Sequence, residues 1–333
     1  MASDAVPSLD KFPTAAASRL WPRLRRWLMP AFGVLVLCLL ISHAHKVDWA
    51  GAWQALRQYS PLRLLAVLGI ATASHMLYGC YDLIGRHHTR HRLSRWCTWA
   101  IAVASYAFNL NLGSLVGGMA LRARLYARAG LDEVTIAQVI GISLATNWLG
   151  YGLLAGSLFA AGVIEAPAQA HMASGTLRAL GGLMVLLAIG YVVACALTSG
   201  SEWRIRGKSL RLPPAKIALV QLAVSATNWA LMGAAMYLLL NQQVSYGTAL
   251  GVLMAASVVG VLIPIPGGLG VLEAVYLVLL SGSIRQGVLM GAVLAYRSLY
   301  YLVPLAGGLL LYLLLERYAS THPATDGAAA PPV

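Results

Sequence analysis

The sequence predicts an all-α polytopic membrane protein, with about six full spans and two inverted-repeat re-entrant hairpins built from broken helices. Three observations carry that expectation. Hydrophobic residues make up 59% of the 333-residue chain and charged residues only 11%, with a mean hydropathy of +0.71, outside the range of soluble domains. Apolar runs of the roughly 20 residues needed to cross a hydrocarbon core recur along the chain. Two of these runs are interrupted by glycine or proline, and neither they nor the others alternate with the strand period of a membrane barrel.

Residues 1–27 read as a basic, cytoplasmic N-terminal segment, ending in "SRLWPRLRRW". The apolar run that follows, 28–44, reads as a retained signal-anchor helix, because "SHAHK" offers no small-x-small cleavage site. The other full spans are expected at 62–84, 134–163, 177–198, 216–240 and 286–315. Together, residues 28–317 form a single transmembrane domain, and 318–333 a disordered cytoplasmic tail. The interrupted stretches are about 97–121 and 248–281.

Loop charges decide how the interrupted stretches are counted. Lys11, Arg19, Arg23, Arg25 and Arg26 place the N-terminus in the cytoplasm, and the four arginines of "GRHHTRHRLSR" (85–95) place that loop there too. Loop 164–176 has neither Lys nor Arg, whereas 199–216 has five. Only if 97–121 enters and leaves on one side do all these loops obey the positive-inside rule. The C-terminus is then cytoplasmic and "NQQVSYG" is outside. Loop 45–63 fits least well, since it lies outside despite Lys46, Arg57 and Arg63.

The second interrupted stretch, "VVGVLIPIPGGLGVLEAVYLVLL", places Pro264, Pro266, Gly267, Gly268, Gly270 and Glu273 within apolar sequence. The prolines lack amide protons, and the glycines allow a sharp turn or a positive φ. Such backbone survives at membrane depth only when buried in protein or lining an aqueous cavity. A helix restarting near Leu269 aims its free amides at the break, with Glu273 in its first turns. A Cβ at Gly268 is expected to be disruptive, and one at Gly156, on an uninterrupted span, mild.

"GGMALRARLY" (117–126) aligns without gaps on "GGLGVLEAVY" (267–276), at an offset of 150 residues with three full spans between. Gly117 and Gly118 are thus the first-half counterparts of the break. An odd number of spans inverts the second copy, and paired broken segments in inverted halves point to a midplane transport site. Two further echoes, "SLATNWLGYG" and "SATNWALMG", set polar stripes on helix faces: Ser143, Asn147 and Tyr151, and Gln221, Ser225 and Asn228. These either glue spans together or touch substrate.

Arg297 is the one charge in a run of 27 residues, 289–315, and shares a face with Tyr301, Pro304 and Gly308. A cation there costs at least about 2.5–3.5 kcal/mol, so it needs a partner or a wet cavity. Glu273 is the expected counter-ion, either in a structural salt bridge or in a charged patch meeting a lipid headgroup. Arg122, Arg124 and Arg128 follow the first broken stretch. Asp82 is expected to pair with Arg86 one turn on. "HHTRH" (87–91) reads as a solvated basic loop.

Cys38, Cys80, Cys97 and Cys195 have no paired spacing and read as buried reduced thiols, with neither a disulfide nor a metal site implied. The formal charge of +13 sits beside spans, where anionic lipid headgroups, and not nucleic acid, are the partner. No HExxH, GxSxG, P-loop or zinc pattern occurs, so no enzyme activity, metal or cofactor is expected.

"PIPGGLGVLEA", with "SYAFNLNLGSLVGGMALRARLYARAGL" upstream and "LAYRSLYYLVPL" downstream, resembles the transmembrane region of lysylphosphatidylglycerol synthases. "YGCYDL", "TNWLGY" and "GVLEAV" resemble its stand-alone YbhN-type subgroup of inner-membrane proteins from Gram-negative bacteria. The likeness covers about residues 28–317. It implies a flippase-like domain without the soluble synthase domain, and hence translocation or binding of an anionic or aminoacylated phospholipid at the bacterial inner membrane. The break motif, Glu273, Arg297 and Arg122 are the site positions it implies, and Asn147, Asn228 and Tyr301 join them from the polar stripes. Arg297 is expected to meet the lipid phosphate, and Glu273 to balance it or bind a headgroup amine. With no ATP site, movement is expected to be passive or ion-coupled. The alternatives are a non-transporting membrane partner of a lipid-synthesis enzyme, a small-solute or ion transporter, and assembly as a homo-oligomer in any of these roles.

Overall fold

The structure, a computed structural model, describes residues 49–163, 174–198, 202–205, 208–262 and 268–321. The expected span 28–44, the residues Pro264, Pro266 and Gly267, and the tail from residue 322 lie outside the described residues.

A short helix, α1 (Trp49–Arg57), precedes α2 (Pro61–Thr89). Pro61 opens α2 where no amide is needed, and the Ser60 hydroxyl accepts from the Arg63 amide. Ser94 caps α3 (Arg95–Leu112) through the Cys97 amide, and Asp132 caps α5 (Glu133–Ala160) through the Thr135 amide. Between them lie a π-helical segment, Ser114–Ala120, and α4 (Leu121–Arg128). Then follow α6 (Ser174–Leu197), α7 (Ala215–Leu239), α8 (Tyr246–Leu262), α9 (Val271–Leu280), α10 (Gln286–Tyr296), a second π-helical segment, Arg297–Leu302, and α11 (Val303–Thr321). One small antiparallel hairpin, β1 (Glu202–Ile205) with β2 (Lys208–Arg211), joins α6 to α7.

Among the described residues, five helices are long and apolar enough to cross a membrane: α2, α5, α6, α7 and the continuous run Gln286–Arg317. They coincide with five of the six expected spans. Pro304 explains the π-helical turn in the last of them. It cannot donate to the carbonyl four residues back, so the hydrogen-bond register loosens just ahead of it, beginning at Arg297.

Both interrupted stretches fold back on themselves. α3 ends at Gly113 with φ 86°, and the returning π-segment lies so close that a Cβ on Gly117 would meet the Phe108 carbonyl. A Cβ on Gly118 would meet Asn109 Oδ1 at 2.7 Å. The first turn is therefore made by Gly113, and Gly117 and Gly118 serve close approach, a correction to placing the break at that pair. At the open end of this hairpin the Tyr126 hydroxyl reaches the Thr98 carbonyl, 3.4 Å away. In the second hairpin Tyr276, 150 residues on, donates to the Ala249 carbonyl at 3.3 Å. The helix boundaries repeat as well: α3 and α8 end at 112 and 262, α4 and α9 begin at 121 and 271.

The two halves are inverted. α2 and α7, which lead them, run antiparallel: Tyr59 donates to the Leu239 carbonyl (2.7 Å), Arg63 bonds Asn241, and Ser74 donates to Asn228 Oδ1 (2.7 Å). Arg63 thus has a local partner, and Arg57 stacks over Trp53 at 4.9 Å, which accommodates the two cations of the loop that fitted the charge rule least. At the opposite end Glu316 of α11 pairs with Arg124 (3.2 Å) and Arg128 of α4.

Glycines set the closest crossings. A Cβ on Gly150 of α5 would strike Ser225 and Ala226 of α7, and one on Gly156 would lie 2.8 Å from the Gly181 carbonyl of α6. Gly156 is therefore a contact glycine, and the expectation that it tolerates alanine is overturned.

Candidate functional site

The second break presents its charges on backbone that only glycine readily adopts. Gly268 has φ 55° and Gly270 has φ 84°, the latter immediately before α9. Glu273 falls in the first turn of α9, where unpaired amides and the helix dipole favour a carboxylate. Arg297 stands at the start of the π-helical turn. Its Nε donates to Glu273 Oε1 at 2.6 Å and its Nη2 to Oε2 at 3.0 Å, while Nη2 also donates to the Gly268 carbonyl at 2.6 Å. The guanidinium lies over the Tyr301 ring, 5.6 Å from its centroid.

This bidentate pair is not sealed: its side chains retain 11% and 15% exposure. A guanidinium offers the same planar fork to carboxylate and to phosphate. The arrangement can therefore exchange one anion for another without rebuilding the site.

Arg122 does not join this group. Its Nε lies 3.3 Å from Asp82 Oδ2, its Nη1 donates to the Ser143 hydroxyl (3.1 Å), and its guanidinium lies 5.4 Å from the Tyr78 ring. Tyr126 donates to the same Asp82 oxygen at 2.6 Å. Asp82 thus pairs across to α4 and not with Arg86, whose Nε is taken by the Leu93 carbonyl at 2.7 Å. Beside this cluster His91 turns inward, its ring 6.4 Å from that of Tyr126. Burial, then the nearby Arg86, pushes its pKa down, so this histidine is not simply part of a solvated basic loop.

The Asn228 side chain packs between helices, and Asn147 contributes its backbone carbonyl to the contact of α5 with α7. The Asn147 carbonyl accepts from Ser225 (2.9 Å) and from the Trp229 ring nitrogen (3.4 Å), joining α5 to α7. Asn228 is buried and accepts from Ser74, which also lies 2.5 Å from the Tyr300 hydroxyl. Of the expected residues, the structure thus unites Arg297, Glu273 and Tyr301, and sets Arg122, Asn147 and Asn228 apart.

Sequence reasoning missed the polar seam of α2. Ser74, Tyr78 and Asp82 follow i, i+4, i+8, the spacing that flagged the stripes on α5 and α7, and all three are buried. Another overlooked signal is that "LATNWLGY" (144–151) aligns on "LAYRSLYY" (294–301) at the same offset of 150, placing Asn147 in register with Arg297.

Taken together, the antiparallel halves, the paired broken hairpins and the charges at membrane depth define a polytopic helical membrane protein of inverted-repeat design. The chain belongs to the family described as the lysylphosphatidylglycerol synthase TM region, whose model matches residues 27–308. It is 44% identical over 260 residues to the inner membrane protein YbhN of Escherichia coli (strain K12), covering 78% of this chain and 80% of that one. It is 26% identical over 264 residues to an uncharacterized protein of Synechocystis sp., covering 77% and 82%.

Proposed function

We propose that this protein moves phospholipid between the leaflets of the bacterial inner membrane, with anionic or aminoacylated lipids as the preferred cargo. The observation that carries this reading is the Arg297–Glu273 pair: a phosphate-shaped fork at the break of a hairpin, partly open, with Glu273 as a built-in competitor for the fork. In this reading an arriving phosphate displaces Glu273, which turns to a headgroup amine. Both termini lie in the cytoplasm, the hairpin of α3 and α4 opens to the cytoplasm, and that of α8 and α9 opens to the periplasm.

A second reading draws on the saturation of Arg297, which already has its carboxylate and a carbonyl. A locked pair of this kind suits a static membrane subunit that binds lipid or a lipid-synthesis enzyme without moving cargo.

Leaflet exchange in liposomes separates the two. The purified chain should speed the exposure of inner-leaflet fluorescent phosphatidylglycerol to an impermeant quencher, relative to protein-free vesicles. No acceleration with anionic, zwitterionic or aminoacylated lipid, from a monodisperse preparation, refutes translocation.

A further inference from the structure

We propose that the buried Asp82–Arg122 pair is a proton-binding site that couples this protein to the proton gradient, with a titratable seam along α2 as its route. The inference rests on the transport reading above and supplies its driving ion.

The pair differs from Arg297–Glu273 in two respects. It is enclosed, with side-chain exposures of 0% for Asp82 and 4% for Arg122 against 15% and 11% at the break, so a headgroup has no access. It is also incompletely satisfied. Asp82 Oδ2 receives Tyr126 and faces Arg122, while Asp82 Oδ1 makes no close hydrogen bond and has the Ser143 hydroxyl as its polar neighbour; Arg122 Nη2 likewise makes no close hydrogen bond, with Tyr78 beside the guanidinium. A buried ion pair kept only as a strut is stabilised by saturating its remaining valences. A buried carboxylate whose second oxygen has no close donor can take up a proton there, at the cost of leaving the Arg122 cation without its counter-charge.

The surroundings continue the same chemistry in both directions along α2. Toward the α2 C-terminus, both ring nitrogens of His91 are buried and unpartnered, and the ring faces Tyr126. Toward mid-membrane, Asp82 is followed by Tyr81 and Tyr78, and then by His75, seven residues or about 10 Å up the helix. His75 Nδ1 lies 2.8 Å from the Ala71 carbonyl, which only accepts, so Nδ1 carries the proton and Nε2 the lone pair. That Nε2 is buried and unpartnered, between the rings of Tyr106 (4.9 Å) and Tyr300 (5.1 Å). The groups facing Asp82 are Arg122 and Tyr126 from α4 and the Ser143 hydroxyl from α5; Cys97 of α3 lies beside Tyr126 and Tyr78 of α2 beside Arg122, while Tyr81 of α2 faces Ser225 and Asn228 of α7.

The step balances simply. A proton from water reached past His91 adds to the Asp82 carboxylate, giving a neutral acid beside the Arg122 cation, and the cluster rises from net zero to +1. The acid no longer holds Arg122, so α4 and its hairpin are released from α2. Loss of the proton to water on the other side restores the pair. In this proposal internal waters carry the proton across the gaps between these groups, whose polar atoms supply the partners such a water needs.

Two measurements on the full-length chain test this. Infrared difference spectra in lipid nanodiscs, taken across about pH 4–9, should show a carboxylic-acid band that grows as pH falls and is missing in Asp82→Asn. Since that variant leaves Arg122 unpaired, the double variant Asp82→Asn with Arg122→Gln, which leaves no orphan charge, should lose the band as well. A spectrum unchanged in the folded double variant overturns the proton site. In liposomes, wild-type lipid exchange should change several-fold when the imposed pH gradient is reversed. Exchange at one rate under both gradients overturns the coupling. Absence of exchange under every gradient, with the Asp82 band present, overturns the lipid reading and leaves the proton site standing.

Discussion

Arg297 holds Glu273 by two near-parallel bonds of 2.6 and 3.0 Å, and with the same guanidinium closes the backbone break through the Gly268 carbonyl. One side chain thus ties the start of α9 to the π-helical turn that precedes Pro304. Removing either member alone leaves an unpaired charge and should cost roughly 3–5 kcal/mol if the site behaves as buried, less in proportion to its residual exposure. The double variant Arg297→Met with Glu273→Gln should elute as a folded monodisperse peak in fluorescence-detected size exclusion, yet fail to exchange lipid. Wild-type exchange from that double variant would refute a binding role for both residues.

Two glycines separate strain from packing. Gly268 has φ 55° but open space around its Cβ position, so Gly268→Ala should cost about 1–2 kcal/mol through backbone conformation alone. Gly156 has a helical backbone but faces Gly181, so Gly156→Val should cost about 1–3 kcal/mol by forcing α5 and α6 apart. Melting temperatures of the purified variants check both. A Gly156→Val protein as stable as wild type would mean that α5 and α6 do not meet there.

Orientation is open to a labelling experiment. Gln242 and Arg92 are exposed at opposite ends of the antiparallel α2–α7 pair. In a cysteine-free background, Gln242→Cys should react with an impermeant thiol reagent added to whole spheroplasts, and Arg92→Cys only after lysis. The reverse pattern would turn the whole assignment over.

Glu316 binds two arginines of α4; the Arg128 side chain is 37% exposed, so that contact is worth at most about 1 kcal/mol and is weakened by salt, while Arg124 is more enclosed. The melting temperature of wild type should therefore fall modestly between low and high salt, and that of Glu316→Ala should fall less. Equal salt sensitivity would show that this contact contributes nothing.

The spans were legible because lipid imposes one rule on every residue of a helix facing it, and the five described spans lie where apolar length put them. The hairpins were legible from loop charge and from the repeated glycine pair. Geometry at single residues was harder to read. Gly113, with no prolines near it, carried no mark distinguishing it from Gly117, although it makes the turn. The Asp82–Arg122 pair joins residues 40 apart on different elements, whereas the i+4 rule offered Arg86 as a ready partner. The Arg297–Glu273 pair was legible because a lone cation and a lone carboxylate in apolar surroundings leave each other little choice.

The shared offset of 150 residues between α3–α4 and α8–α9 has a bearing on ancestry. A single ancestral unit of this shape, pairing with a copy of itself, would have to enter the membrane in both directions in equal numbers. That requires loops with no charge preference; "NQQVSYG" has none, while its counterpart "GRHHTRHRLSR" holds four arginines. Fusion removes the need for ambivalence, and once the halves are joined, one arginine-rich turn is enough to orient both.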